Sequence, residues 1–278
     1  TADEDNAKSG HWGGIIINGK APISGDKEDK SNTALAEINN KYPYGGNNAA
    51  DNSGVMTYVS ICYAGARSTQ DIEHNGLTLN GVGNGTTIEN IYVLESADDA
   101  IEFFGGTVSV KNLLAVNPDD DMFDFTQGYC GTLSNCYGIW ESDYTSTEAD
   151  PRGIEADGNF DGLYPNHLRQ SDFVVDGMTI VNNAANTTDN VDRMQDVIKI
   201  RRGAKATIKN ALVKGTGGAI DLVDMNDGKG AGNAASTISI TNSLQLTGKK
   251  LNGEAVLNEA GSNTGADTSV FGWTKYNF

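Results

Sequence analysis

Acidic side chains recur in a fixed apolar setting along this chain. Asp99-Ala100-Ile101-Glu102-Phe103, Asp121-Met122-Phe123-Asp124-Phe125 and Gly153-Ile154-Glu155-Ala156 share one template. Asp196-Val197-Ile198-Lys199-Ile200 and Gly218-Ala219-Ile220-Asp221-Leu222 extend it. Alternate side chains of an extended strand face opposite ways. With Ile101 and Phe103 turned inward, Glu102 and Phe104 turn outward. Stacking the copies aligns Glu102, Asp124, Glu155, Lys199 and Asp221 in one outward column. Phe104, Thr126, Asp157, Arg201 and Val223 form the next. The turn acids Asp98, Asp99, Asp119, Asp120 and Asp121 come just before. Carboxylates stacked about 4.8 Å apart repel unless they are protonated or bridged by a cation. Calcium, which takes six to eight oxygens, is the natural bridge and the candidate cofactor. A solvated acidic face is the alternative.

Asp157-Gly158-Asn159-Phe160-Asp161-Gly162 is a second calcium candidate, with oxygens at its first, third and fifth positions. Leu168 stands where an EF-hand needs Glu, so a shorter loop site or a plain Asp/Gly turn are the two readings. Lys199 and Arg201 lie on one strand beside the acids. They suit the base of a calcium-dependent polysaccharide lyase, or ion pairs that relieve the acidic face. Glu102 and Asp124, one coil apart, approach the roughly 5–5.5 Å separation of a retaining glycosidase pair. Phe104, Trp140, Tyr144 and Tyr164, with Glu155 nearby, suit sugar binding: rings stack on sugar faces while acids bond hydroxyls. Each ring equally suits a core or cap position. No P-loop, Gly-x-Ser-x-Gly or dinucleotide fingerprint is present, so no organic cofactor is expected. His11, His74 and His167 show no metal or triad spacing.

The elements that must position these residues are strands. The 278 residues include 34 glycines and are rich in asparagine, a profile of turns rather than helices. Apolar stretches are short and alternate with period two, as in Val197-Ile198-Lys199-Ile200 and Ile238-Ser239-Ile240, which predicts an all-β chain. One short helix is expected from Ser31-Asn32 through Asn40. Ile88-Glu89-Asn90-Ile91-Tyr92-Val93 recurs around Asn112, Asn135, Asn210 and Asn242, with a degenerate copy at Val175-Asp176-Gly177-Met178. A repeat of about 22 residues means a solenoid, and strands without helices mean a parallel β-helix. The recurring Asn suits a left-handed bend whose amide bonds the same amide in the next coil. One β-helix domain over 1–278 is expected, with insertions at 24–53, 141–170, 183–195 and 224–235. Loops of this kind carry function.

The net charge of −17 excludes nucleic acid as partner. No apolar run is long enough to span a membrane. Cys130 and Cys136 could pair, but three small buried thiols are the simpler expectation.

Several segments carry a family resemblance. They are Trp12-Gly13-Gly14-Ile15-Ile16-Ile17-Asn18-Gly19, Asn75-Gly76-Leu77-Thr78-Leu79, Asp98-Asp99-Ala100-Ile101-Glu102-Phe103-Phe104-Gly105-Gly106, Asp119-Asp120-Asp121 and Phe271-Gly272-Trp273-Thr274. The chain resembles secreted or lipid-anchored bacterial β-helix surface proteins over most of its length. The resemblance implies a right-handed parallel β-helix on the outer surface of a Gram-negative bacterium, with further coils before Thr1. His74, Cys130 and Cys136 depart from it. It carries no catalytic residues over. The expected function is binding of an extracellular ligand, first a glycan, without a chemical step. A lyase or hydrolase, and an adhesive protein that meets another surface protein, are the alternatives.

Overall fold

The computed structural model describes residues 6–27, 31–67, 74–184 and 194–278. Successive short strands alternate between two parallel sheets. In chain order they are β1 (Ile15–Asn18), the hairpin strands β2 (Thr33–Leu35) and β3 (Pro43–Gly45), β4 (Val55–Cys62), β5 (Leu77–Asn80), β6 (Thr87–Leu94), β7 (Ile101–Phe104), β8 (Val110–Val116) and β9 (Phe123–Thr126). Then follow β10 (Thr132–Trp140), β11 (Ile154–Asp157), β12 (Asp172–Asn182), β13 (Met194–Arg201), β14 (Lys205–Lys214), β15 (Gly218–Asp224), β16 (Thr237–Asn242), β17 (Gln245–Leu246) and β18 (Val256–Glu259). Sheet one runs β1-β5-β7-β9-β11-β13-β15-β17, and sheet two runs β4-β6-β8-β10-β12-β14-β16-β18. The chain is a parallel β-helix, as its repeat predicts.

The bend in sheet two depends on asparagine. Asn90, Asn112, Asn135 and Asn210 all have φ between 50° and 58°, a left-handed conformation that Asn tolerates better than most residues. Asn112 Nδ2 donates to Asn90 Oδ1 at 2.9 Å, and Asn135 Nδ2 donates to Asn112 Oδ1 at 2.8 Å. This amide ladder replaces the backbone pairing lost at the corner. In the degenerate copy Gly177 takes the position with φ 73°. β16 has no such bend: the register slips between Ile208 and Ala211, so the Asn242 copy does not continue the ladder.

Inward side chains of both sheets fill one core along the axis. Phe103, Phe125 and Phe173 stack, at 5.1 Å and 4.2 Å between ring centroids. Tyr129 packs beside them and donates to Val108 O at 2.7 Å. Cys130 and Cys136 are free thiols and do not pair, and Cys136 is buried in this core.

The helix expected at 31–40 is a hairpin instead. β2 and β3 pair antiparallel, and Ala34, Ala36 and Tyr44 bury against Ile23. That packing outweighs the local helix signal. Among the described residues, 3-10 turns lie at Phe160–Gly162 and Thr268–Thr274. β11 divides the 141–170 insertion into two loops. Of the 183–195 insertion, residues 185–193 lie outside the described residues. Residues 264–278 cross the outer face of sheet two. There Phe271, Val270 and Trp273 cover Tyr92, Leu114, Val116 and Tyr137.

Candidate functional site

The outward face of sheet one is the floor of a groove of about 500 Å3. The β2–β3 hairpin walls one side with Leu35, Ala36, Ile38 and Tyr44, and Phe160 stands at the other end. Tyr44 holds the wall to the floor by donating to Gln127 Oε1 at 2.6 Å. Glu102, Phe104, Asp124, Glu155, Asp157 and Arg201 all line the groove, as the period-two reading of their strands predicts.

Registration places the acids in order. Thr78, Glu102, Asp124, Glu155, Lys199 and Asp224 occupy successive coils of one column. Asp224, not Asp221, stacks on Lys199. Asp221 pairs with Asp196, and Val223 is a core residue opposite Ile198. The true repeat copy is therefore Asp221-Leu222-Val223-Asp224-Met225, a signal present in the sequence but offset by three residues from the expected alignment. Behind this column runs a second, buried one in which Asp99 stacks on Asp121, and Asp196 on Asp221.

The groove divides electrostatically into two halves. In the half built on β11 and β13 the acids have cationic partners. Arg201 pairs with Glu155, and its Nε donates to Asp157 at 2.7 Å. Arg202 Nη1 reaches Asp157 at 2.6 Å and Asp161 at 2.7 Å, and Lys229 reaches Asp161 at 2.6 Å. Lys199 pairs with Asp224, and Arg152 with Glu155. Lys199 and Arg201 are thus engaged as counter-ions, the relieving role weighed against that of a base. Burial, with Arg202 and Arg152 nearby, lowers the Arg201 pKa.

Asp157, Asn159 and Asp161 also face protein groups. The first and third meet arginines, while Asn159 donates to Gln170 and Arg202 O and accepts from the Tyr164 amide. Burial raises Asp157 to about 6 even so, with Arg202 working against it.

The half built on β5, β7 and β9 is different. Asp99, Glu102 and Asp124 bring carboxylate oxygens within 4.8 Å of one another, as do Asp98, Asp99 and Asp120. Burial first, then neighbouring carboxylates, raises Asp99, Glu102 and Asp121 well above the ordinary carboxylate range. Burial and Asp157 push Asp124 up to about 7, with Arg201 and a hydrogen bond to Glu102 pulling the other way. Asn75 Nδ2 donates to Glu102 Oε2 at 2.5 Å. Asn75 is 3% exposed, and its Oδ1, with Oδ1 of Asp121 and of Asp124, is buried without a hydrogen-bond partner. Asn75 lacks the Asp-x-Ile-Glu signature, so no motif marks it as part of the site.

Four expected residues lie away from the groove floor. Trp140, 2% exposed, is a core residue that donates to Pro118 O, because its strand turns it inward. Tyr144 and Thr147 bond Asp119, which ties down the loop after β10 instead of joining the acid clusters. Tyr164 packs on Phe160 and donates to Asp26 O at 2.9 Å, bracing the groove's end.

Residues 1–275 match the model of the pectate-lyase-like β-helix domain. The chain belongs to this pectate-lyase-like β-helix family. Nothing among curated proteins matches it, and no solved structure does. Among the described residues no helix of this β-helix domain is long and apolar enough to cross a membrane.

Proposed function

We propose that this protein binds an extracellular glycan in the groove over sheet one, by recognition without a chemical step. The groove itself carries the reading: an acid and amide floor faces the apolar wall of Leu35, Ile38, Tyr44 and Phe104. Sugars present hydroxyls at their edges and C–H groups on their faces. The floor accepts hydroxyl hydrogen bonds while the wall covers a ring face. Membership of a pectate-lyase-like family supports a polysaccharide partner. The setting is the cell exterior, as a secreted or outer-membrane-displayed protein of a Gram-negative bacterium.

Asp98, Asp99 and Asp120 would hold a calcium ion. Oxygens within 4.8 Å of one another can share a centre at calcium's bond length of roughly 2.3–2.6 Å. Such an ion would pin two successive turns beside the groove.

Affinity electrophoresis against neutral and acidic polysaccharides, with calcium and with EDTA, tests this reading. One polysaccharide should retard the protein, and Phe104→Ala should reduce the retardation. Unchanged migration in every gel would sink the glycan reading. Equal retardation in calcium and in EDTA would remove the ion from the binding mechanism.

A further inference from the structure

We propose that the groove selects glycans carrying a primary ammonium group, as on a 2-amino-2-deoxy sugar, and rejects uronate chains. This rests on the groove being the glycan site and names the class of glycan it takes. Among its described lining residues the cations are Arg201 and Arg202, and both are engaged by Glu155, Asp157 and Asp161. A uronate carboxylate would meet Glu102 and Asp124 with no cation left to receive it. The opposite charge finds the reverse situation. Glu102, Asp124 and Asn75 converge on the β5–β9 half, and Oδ1 of Asp124 and of Asn75 have no hydrogen-bond partner. Asn75 is buried, and its amide nitrogen already sits on Glu102, which aims its head group at the cluster.

Buried acceptors left unpaired are costly, and a buried carboxylate without a counter-ion more so. An ammonium group offers three N–H donors to these three acceptors and supplies the missing positive charge. The rings of Phe104 and Tyr44, which also line the groove, add the attraction of an aromatic face for a cation. A calcium ion held by Asp99, Glu102 and Asp124, whose oxygens lie within 4.8 Å of one another, is the competing occupant of this point of the floor.

The test is calorimetric titration with three probes of matched length: glucosamine hexamer, N-acetylglucosamine hexamer and oligogalacturonate hexamer. Each is run in EDTA and in calcium, and hexalysine controls for attraction to the −17 net charge. The glucosamine hexamer should bind about tenfold or more tighter than its acetylated counterpart, the worth of one charge-assisted hydrogen bond. Glu102→Gln and Asp124→Asn, checked for folding by circular dichroism, should each erase that preference by weakening the glucosamine hexamer far more than its acetylated counterpart. Equal binding of the two hexamers overturns the ammonium proposal and leaves the groove reading standing. Calcium-dependent binding of oligogalacturonate overturns it in favour of a metal at the same carboxylates. Hexalysine binding as tightly as the glucosamine hexamer, or a preference that survives both substitutions, assigns the effect to general surface charge. If no hexamer binds and no polysaccharide retards the protein, both readings fall together.

Discussion

Asp124 sits where burial and neighbouring charge both oppose ionisation. An aspartate titrates near 3.8 when exposed, and this one titrates at about 7 in the folded chain. Between those values the native state holds a proton that the unfolded chain has released. Stability is therefore highest below the lower value and falls as pH rises through the upper one. Asp157 and Asp196, each raised to about 6, act in the same direction. The melting temperature should be higher at pH 5 than at pH 7.5, and Asp124→Asn should flatten that slope and raise the value at pH 7.5. A melting temperature that climbs from pH 5 to pH 7.5 would contradict the uncompensated cluster. Glu102, Asp124 and Glu155 were legible in the sequence because period-two alternation dictates which way a strand residue faces. Asn75 was not, because its role depends on Asp99 and Glu102 one coil away, a distance in space that no local pattern encodes.

The Asn ladder operates at the level of a single turn of the solenoid. Asn112 combines a left-handed φ of 57° with two amide contacts, one to each neighbouring coil. Asn112→Ala should destabilise the domain by about 2 kcal/mol, combining a lost buried hydrogen bond with backbone strain. Asn112→Gly should cost less, since glycine accepts the conformation and loses only the amides. Denaturant unfolding of the two variants checks the order, and equal stabilities would remove the strain component. The ladder could be read in advance because flanking apolar residues repeat with it. The hairpin at 33–45 could not. Ser31-Asn32 is a sound helix start in isolation, and only burial of Ala34 and Tyr44 against Ile23, with the Tyr44–Gln127 bond, forces strands there.

Across the whole molecule, the C-terminal segment decides whether sheet two is covered. Phe271 is fully buried against Tyr92, Leu114, Val116, Tyr137 and Ile139, all on the outward side of sheet two. The Asp267 amide donates to Asn135 Oδ1 at 2.6 Å, and the Thr264 amide to Asn210 Oδ1 at 2.7 Å, so the segment is pinned to the open ends of the ladder. Phe271→Ala should cost about 3–5 kcal/mol, the usual loss for a buried aromatic side chain. It should also expose enough apolar surface to bind a hydrophobic dye under native conditions. Unchanged stability and no dye binding would mean that the segment is dispensable.

The sequence by itself determined the class of fold, the repeat, the bend residue and the outward acid column. Each follows from a local rule, either strand alternation or one residue type at one corner, repeated until the pattern exceeds chance. Tertiary structure alone decided which acids have partners. Arg152, Lys199, Arg201 and Arg202 neutralise one half of the column and leave the other bare, and the coil-to-coil register set that outcome. Apart from Arg152 and Glu155, which are neighbours in sequence, these pairs join residues from different coils, and their distances exist only once the coils have stacked.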